Sequence, residues 1–251
     1  MMSAFPSGQF FVFMVWLIFQ SDAVLADTIR IAVSSNFYPT LTRLIQVLSI
    51  ESRHEFDVIS GSTGVLYAQI ENGAPFDIFM AADKSRPALL DAHGLIEPGS
   101  RKTYAIGQLA LWAPDSNSQV DKDFLLEFEG NLAIANPDIA PYGVAAKTLL
   151  HHMDISQVQF VMGNNVGQTF QFVQTGNAKA GLVALSQVLH GKIESRFFWA
   201  VEHSFYEPIE QQMVIMNRSP GSIEFANFLT SETAIRILLI DGYELPGNLE
   251  K

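Results

Sequence analysis

Ile31-Ala-Val-Ser-Ser-Asn-Phe-Tyr-Pro-Thr-Leu41 and its echo Ile59-Ser-Gly-Ser-Thr-Gly-Val-Leu-Tyr-Ala-Gln-Ile70 decide the fold. In each, an apolar strand runs into a short cluster of hydroxyl, amide and glycine residues, and that cluster opens an amphipathic helix. The first backbone N–H groups of a helix have no intrahelical partner and carry the positive end of its dipole. They attract an anion without any charged side chain. Ser35, Asn36, Ser62 and Thr63 add side-chain donors at these two turns. The plainer reading of Ser35 and Ser62 is helix capping, a routine role for Ser, Thr and Asn. Two matched turns in succession favour an anion site.

Working outward, Thr28 to Ser34 reads as a buried strand, and Phe37, Leu41, Leu44, Ile45 and Leu48 follow at helical spacing, with Pro39 tolerated in the first turn. A strand over Phe56–Ser60, a helix over Gly64–Asn72, a strand over Phe76–Asp83 and a helix over Pro87–His93, stopped by Gly94, continue the alternation. This pattern predicts a mostly parallel sheet with helices on both faces, whose ligands sit beyond the carboxyl ends of the strands.

Thr103 to Trp112 is a longer extended segment. After the loop Ala113–Gln119 the alternation restarts, with strands over Leu132–Ala135, Val158–Met162, Ala180–Leu185 and Phe197–Val201 and helices over Val144–His152 and Gly167–Gln174. Ile209 to Met216 is extended again, and helices over Ser222–Leu229 and Ser231–Ile240 close the chain. Two long extended segments around a self-contained block imply two lobes joined by two crossovers. Lobe 1 is expected to comprise residues 27–106 plus 216–251, and lobe 2 residues 107–215.

The second lobe offers two more strand-to-helix turns. Asn136-Pro-Asp-Ile-Ala-Pro-Tyr-Gly143 presents the N–H groups of Tyr142 and Gly143 at a helix start, and Gly163-Asn-Asn-Val-Gly-Gln-Thr169 repeats the geometry. The latter lacks the lysine a phosphate loop uses, so a nucleotide site is not expected. Four turns with uncharged donors, two from each lobe, fit an anion clamped in an interlobe cleft.

Composition sets the address. Phe10 to Phe19 is an unbroken apolar run, too short for a comfortable membrane span, followed by a polar stretch ending at Ala26. Residues 1–26 are therefore expected to be a signal peptide and Asp27 the mature start, although residues 1–9 contain no Lys or Arg. The chain has no cysteine, which excludes disulfides, thiol nucleophiles and a lipid-anchor cysteine. A freely soluble periplasmic protein is expected. Removing the leader deletes Asp22 and no base, moving the net charge from −11 to −10. A chain this acidic is a poor nucleic-acid binder. Salt screens its long-range repulsion of anions beyond about 8 Å, so local dipoles decide binding.

From about Asp27 to Pro246 the chain resembles the molybdate-binding periplasmic proteins, the substrate-binding components of ATP-driven oxyanion importers. The matching motifs are Ser35-Asn36-Phe37, Gly61-Ser-Thr-Gly64 with Tyr67-Ala-Gln-Ile70, Asn72-Gly-Ala-Pro75, Ala81-Ala-Asp83, Asn136-Pro with Ala140-Pro-Tyr-Gly143, Asn165-Val-Gly-Gln168 and Tyr206-Glu-Pro. The resemblance implies an α/β, two-lobed periplasmic binding protein of type II, each lobe a mixed, mostly parallel sheet flanked by helices. It also implies a hinge-closing monomer that holds molybdate or tungstate through neutral donors and delivers it to an inner-membrane ABC permease, with no cofactor, no bare metal ion and no catalysis. Carried over by position, the ligand contacts are Ser35, Asn36, Ser62, Thr63, Tyr142 and Val166, the last two mainly through backbone N–H groups. Some relatives carry a tyrosine on the strand that here reads Gly181-Leu-Val-Ala-Leu185. That hydroxyl is absent, and Asn36 is expected to complete the shell.

Molybdate, tungstate and sulfate are dianions that need only donors, whereas phosphate keeps a proton and favours an acceptor that none of the four turns supplies. Asp77, Asp83 and Asp138 are expected to cap and to bond between loops. The rival substrate is sulfate or another oxyanion, whose exclusion depends on cavity radius. A sensor subunit docking to a receptor shares fold and ligand. A secreted hydrolase is the rival from another class, but neither G-x-S-x-G nor H-E-x-x-H occurs, and His151-His152 are helix neighbours that point apart.

Overall fold

The computed structural model describes residues 26–247; the leader expectation rests on residues 1–25, outside that range. β1 (Thr28–Ser34) is buried on both faces from Ile31 onward, with Ile29, Ile31 and Val33 toward one layer of helices and Ala32 toward the other. α1 (Tyr38–Leu48) covers the first face with Leu41, Leu44 and Leu48. β2 (Glu55–Gly61), α2 (Thr63–Glu71), β3 (Ile78–Ala81), α3 (Ser85–Ala92) and β4 (Lys102–Gly107) complete the first run. The chain then crosses at Gln108 into β5 (Leu109–Trp112). The second run comprises α4 (Lys122–Leu126), β6 (Asn131–Ala135), α5 (Pro141–His152), β7 (Gln159–Gly163), α6 (Val166–Gln174), β8 (Ala180–Ala184), α7 (Leu185–His190) and β9 (Phe198–Ala200). β10 (Ile209–Ile215) returns to the first sheet, and α8 (Pro220–Phe228) and α9 (Glu232–Ile240) pack on it.

The two five-stranded sheets share one plan. In the first, ordered β2-β1-β3-β10-β4, β1 runs parallel to β2 and β3 while β10 is antiparallel to β3 and β4. In the second, ordered β7-β6-β8-β5-β9, β6 runs parallel to β7 and β8 while β5 is antiparallel to β8 and β9. Each is the mixed, mostly helix-covered sheet of one lobe.

Two details differ from the sequence reading. The extended run over 103–112 is two strands in different sheets, divided at Gln108. The return crossover also comes earlier than position 216: Ile209–Ile215 is paired into the first sheet between β3 and β4. Its apolar end is buried on both faces and needs a partner on each edge.

The start of α5 is wedged against β6. A β-carbon on Gly143 would stand 2.3 Å from the Ala135 carbonyl oxygen and 2.8 Å from the carbonyl carbons of Ala135 and Asn136. These are backbone atoms and cannot swing aside. Gly143→Ala is expected to lower unfolding stability by about 3 kcal/mol, as overpacking against rigid neighbours does. Urea denaturation measures it, and a loss below about 1 kcal/mol would mean that α5 slides without resistance.

Candidate functional site

The four turns singled out in the sequence lie at the carboxyl ends of β1, β2, β6 and β7, two in each lobe. They meet in pairs across the seam. The Gly167 N–H, in the first turn of α6, donates to Ser35 Oγ at 3.1 Å. The Gly64 N–H, in the first turn of α2, donates to the Ile139 carbonyl at 2.9 Å. The first turn of lobe 1 thus touches the second of lobe 2, and the second touches the first.

Local sequence explains why donors collect here. Ser62 caps α2, its Oγ accepting from the Val65 N–H at 3.4 Å, and Asn165 caps α6 by accepting from the Gln168 N–H at 2.9 Å. Thr63 Oγ1, fully buried, accepts from the Ala82 N–H at 3.1 Å and ties the start of α2 to the end of β3. Because Ser35, Ser62 and Thr63 all accept in these bonds, their hydroxyl protons are left for a ligand. Among the described residues, no hydrogen bond takes the backbone N–H of Asn36, Ser62, Thr63, Tyr142 or Val166. All five stand at or beside helix starts, where such groups lack intrahelical partners.

Asn36 is the residue whose side chain faces elsewhere. Its amide nitrogen donates to Gln211 Oε1 at 3.0 Å and to the Tyr243 hydroxyl at 3.2 Å, and its carbonyl accepts from Tyr243 at 3.0 Å and from Ser186 Oγ at 3.3 Å. The carboxamide oxygen and Gln211 Nε2 are buried without a hydrogen-bond partner. With its NH2 engaged, the donor Asn36 retains for an anion is its backbone N–H. Sequence reasoning missed the partners of this hinge network: Gln211, Tyr243, Tyr104 and Ser186. Tyr104 donates to Gln211 Oε1 at 3.1 Å, and the Tyr243 hydroxyl lies 3.0 Å from Ser186 Oγ in lobe 2. The one available signal was the polar run Glu210-Gln-Gln212 between the apolar residues Ile209 and Met213 of one strand.

The Tyr142 hydroxyl stands beside this network: it and Gln211 Nε2 lie 2.3 Å and 2.6 Å from the point where a β-carbon on Gly107 would stand. Burial pushes the phenols of Tyr142, Tyr104 and Tyr243 well up, with neighbouring phenols adding to the rise at Tyr142 and Tyr104 and side-chain hydrogen bonds with Ser186 and Asn36 opposing it at Tyr243. They remain neutral donors at physiological pH.

Two of the three acids expected to cap are occupied, whereas Asp138 is exposed and gives its backbone N–H to Asn136 Oδ1 at 3.0 Å instead of capping with its carboxylate. Asp77 accepts from the Arg30 N–H and from Asn217 Nδ2, each at 2.8 Å, and Asp83 is paired with Arg86. Among the described residues, no group of three or more His, Cys, Asp or Glu side chains is placed to hold a metal ion, and no helix is long and apolar enough to cross a membrane. What the turns offer is a set of uncharged donors converging from two lobes.

Residues 29–244 match the sequence model of the bacterial extracellular solute-binding proteins. The chain is 36% identical over 232 residues to the molybdate-binding protein ModA of Azotobacter vinelandii, covering 89% of this chain and 92% of that one. It is 34% identical over 225 residues to ModA of Rhodobacter capsulatus, covering 87% and 88%. The solved structure of the Azotobacter vinelandii periplasmic molybdate-binding protein superposes with a TM-score of 0.82 at 34% identity, over 87% of this chain and 99% of that one.

Proposed function

Because the chain belongs to the bacterial extracellular solute-binding protein family and is homologous to its molybdate-binding members, we propose that it binds molybdate or tungstate between its lobes. It then delivers the anion from the periplasm to an inner-membrane ABC permease. The observation that carries this reading is the set of backbone N–H groups of Asn36, Ser62, Thr63, Tyr142 and Val166, unpaired among the described residues and gathered where the lobes meet. Hydroxyls of Ser35, Ser62 and Thr63 supplement them, and the one carboxylate the four turns carry, Asp138, is exposed.

Magnitudes agree. Hydrogen bonds to charged groups contribute roughly 1.5–3 kcal/mol each, so five to seven support sub-micromolar affinity, about −8 kcal/mol, after ordering and closure. The protein has no catalytic role in this reading; its task is capture and release.

Isothermal titration of the chain from Asp27 onward with molybdate, tungstate, sulfate and phosphate tests the proposal. One-to-one binding of the first two, with sulfate and phosphate silent, is the expected result. Equally tight sulfate binding would change the substrate, and silence from all four would overturn the reading. Thr63→Ala is expected to weaken molybdate binding by about tenfold to a hundredfold, the range of one hydrogen bond to a charged group. Unchanged affinity would remove the Thr63 hydroxyl from the site.

A further inference from the structure

The seam carries one charge pair that the oxyanion reading leaves unused. Arg86, in the first turn of α3, donates through Nη1 to the Asp83 carboxylate, which also accepts the Arg86 backbone N–H at 3.0 Å. The two side chains are only 22% and 17% exposed. The other guanidinium nitrogen, Nη2, lies 3.0 Å from the point where a β-carbon on Gly64 would stand, and the Ile139 carbonyl of lobe 2 lies 2.9 Å from that same point. Gly64 follows Thr63 directly, so a partly buried cation sits beside the start of α2, where the lobes touch. A cavity here is lined by Asp83 and Arg86 from lobe 1 and by Pro141 and Val144 from lobe 2; its other cation, Lys84, is paired with Glu210 and is 63% exposed.

From this juxtaposition, and on the oxyanion reading above, we infer that Arg86 is a specificity-determining residue that strengthens the pull on a doubly charged anion, and that Asp83 tempers it. Neither group touches the anion; both act through the field at the α2 terminus. A dianion feels a unit charge twice as strongly as a monoanion does, so the pair biases the cleft by charge as the donors bias it by shape. Partial burial keeps solvent from erasing the effect, and the carboxylate cancels most of it.

Asp83→Asn, Arg86→Gln and Arg86→Lys, titrated with molybdate at about 0.05 M and about 0.5 M salt, test this. Asp83→Asn retains the oxygen that accepts the Arg86 N–H, so it removes charge without removing the turn. It is expected to tighten binding by about tenfold, Arg86→Gln to weaken it by about tenfold, and Arg86→Lys to stay within about threefold of the parent. The spread between the variants is expected to narrow at the higher salt. A merely structural pair would weaken binding in both Asp83→Asn and Arg86→Gln with no salt trend, and that result would overturn the inference. Should Arg86→Gln fail to fold, the sign of the Asp83→Asn change still decides. If the parent binds none of the four oxyanions, the oxyanion reading falls as well; if it binds and the variants match it, only the role of this pair falls.

Discussion

Replacing Ser35 by aspartate is expected to abolish dianion binding, by about a thousandfold or more, while leaving the protein folded. Ser35 is half-buried at the seam, and its Oγ already takes the Gly167 N–H of lobe 2 at 3.1 Å. A carboxylate there would stand among the donors meant for the anion. Two unit charges about 4 Å apart repel by about 4 kcal/mol at an effective dielectric of about 20, and a dianion doubles that. Half of that, about 4 kcal/mol, already supplies a thousandfold loss. The fold should not suffer, because a carboxylate at the start of α6 is favoured by the helix dipole and accepts the same N–H more strongly than a hydroxyl does. Thermal unfolding of Ser35→Asp is therefore expected to match or exceed the parent while titration with molybdate goes flat. Ser35→Thr, which keeps the hydroxyl, should bind within about tenfold of the parent. Retained affinity in the aspartate variant would place the anion away from this turn and count against the whole cleft.

That the four turns could be read in the sequence at all follows from their being local. An apolar strand, a Ser/Asn/Gly cluster and a helix start occupy a dozen neighbouring residues, and Ser62 and Asn165 cap their helices within three residues. The lobe junctions are not local. Gly107-Gln108 is a short break inside one extended run, and β10 belongs to a sheet whose other strands lie more than a hundred residues earlier. The same limit explains Asn36. The resemblance makes it a ligand, and its backbone N–H stands with the other donors, but the direction of its carboxamide is set by Gln211 and Tyr243, 175 and 207 residues away. No spacing rule reaches that far. Short elements such as α4 and α7 were missed for another reason: five or six residues do not complete a helical hydrophobic period long enough to stand out.

The buried tyrosines set the largest expected pH effect. Tyr104, Tyr142, Tyr206 and Tyr243 are all buried, and burial is the leading cause that raises each phenol above its ordinary value of 10.0. The folded chain therefore holds these four protons more firmly than the unfolded chain does. Their contribution to stability is fully present below about pH 10 and is lost as pH rises through the folded values. Each such group lowers stability by about 1.4 kcal/mol per pH unit in that window, so four acting together remove about 5 kcal/mol per unit. A domain with about 10 kcal/mol in hand should unfold within about two units above pH 10. Chemical denaturation at stepped pH is expected to give nearly constant stability from about pH 7 to 9 and a steep fall thereafter, with buried phenolate absorbance appearing together with unfolding. Tyr243→Phe should flatten the slope by about a quarter, since it removes one of the four titrating groups. Phenolate absorbance from the buried tyrosines rising with a midpoint near 10 while the protein stays folded would contradict this account, because it would mean that water reaches these phenols in the folded state.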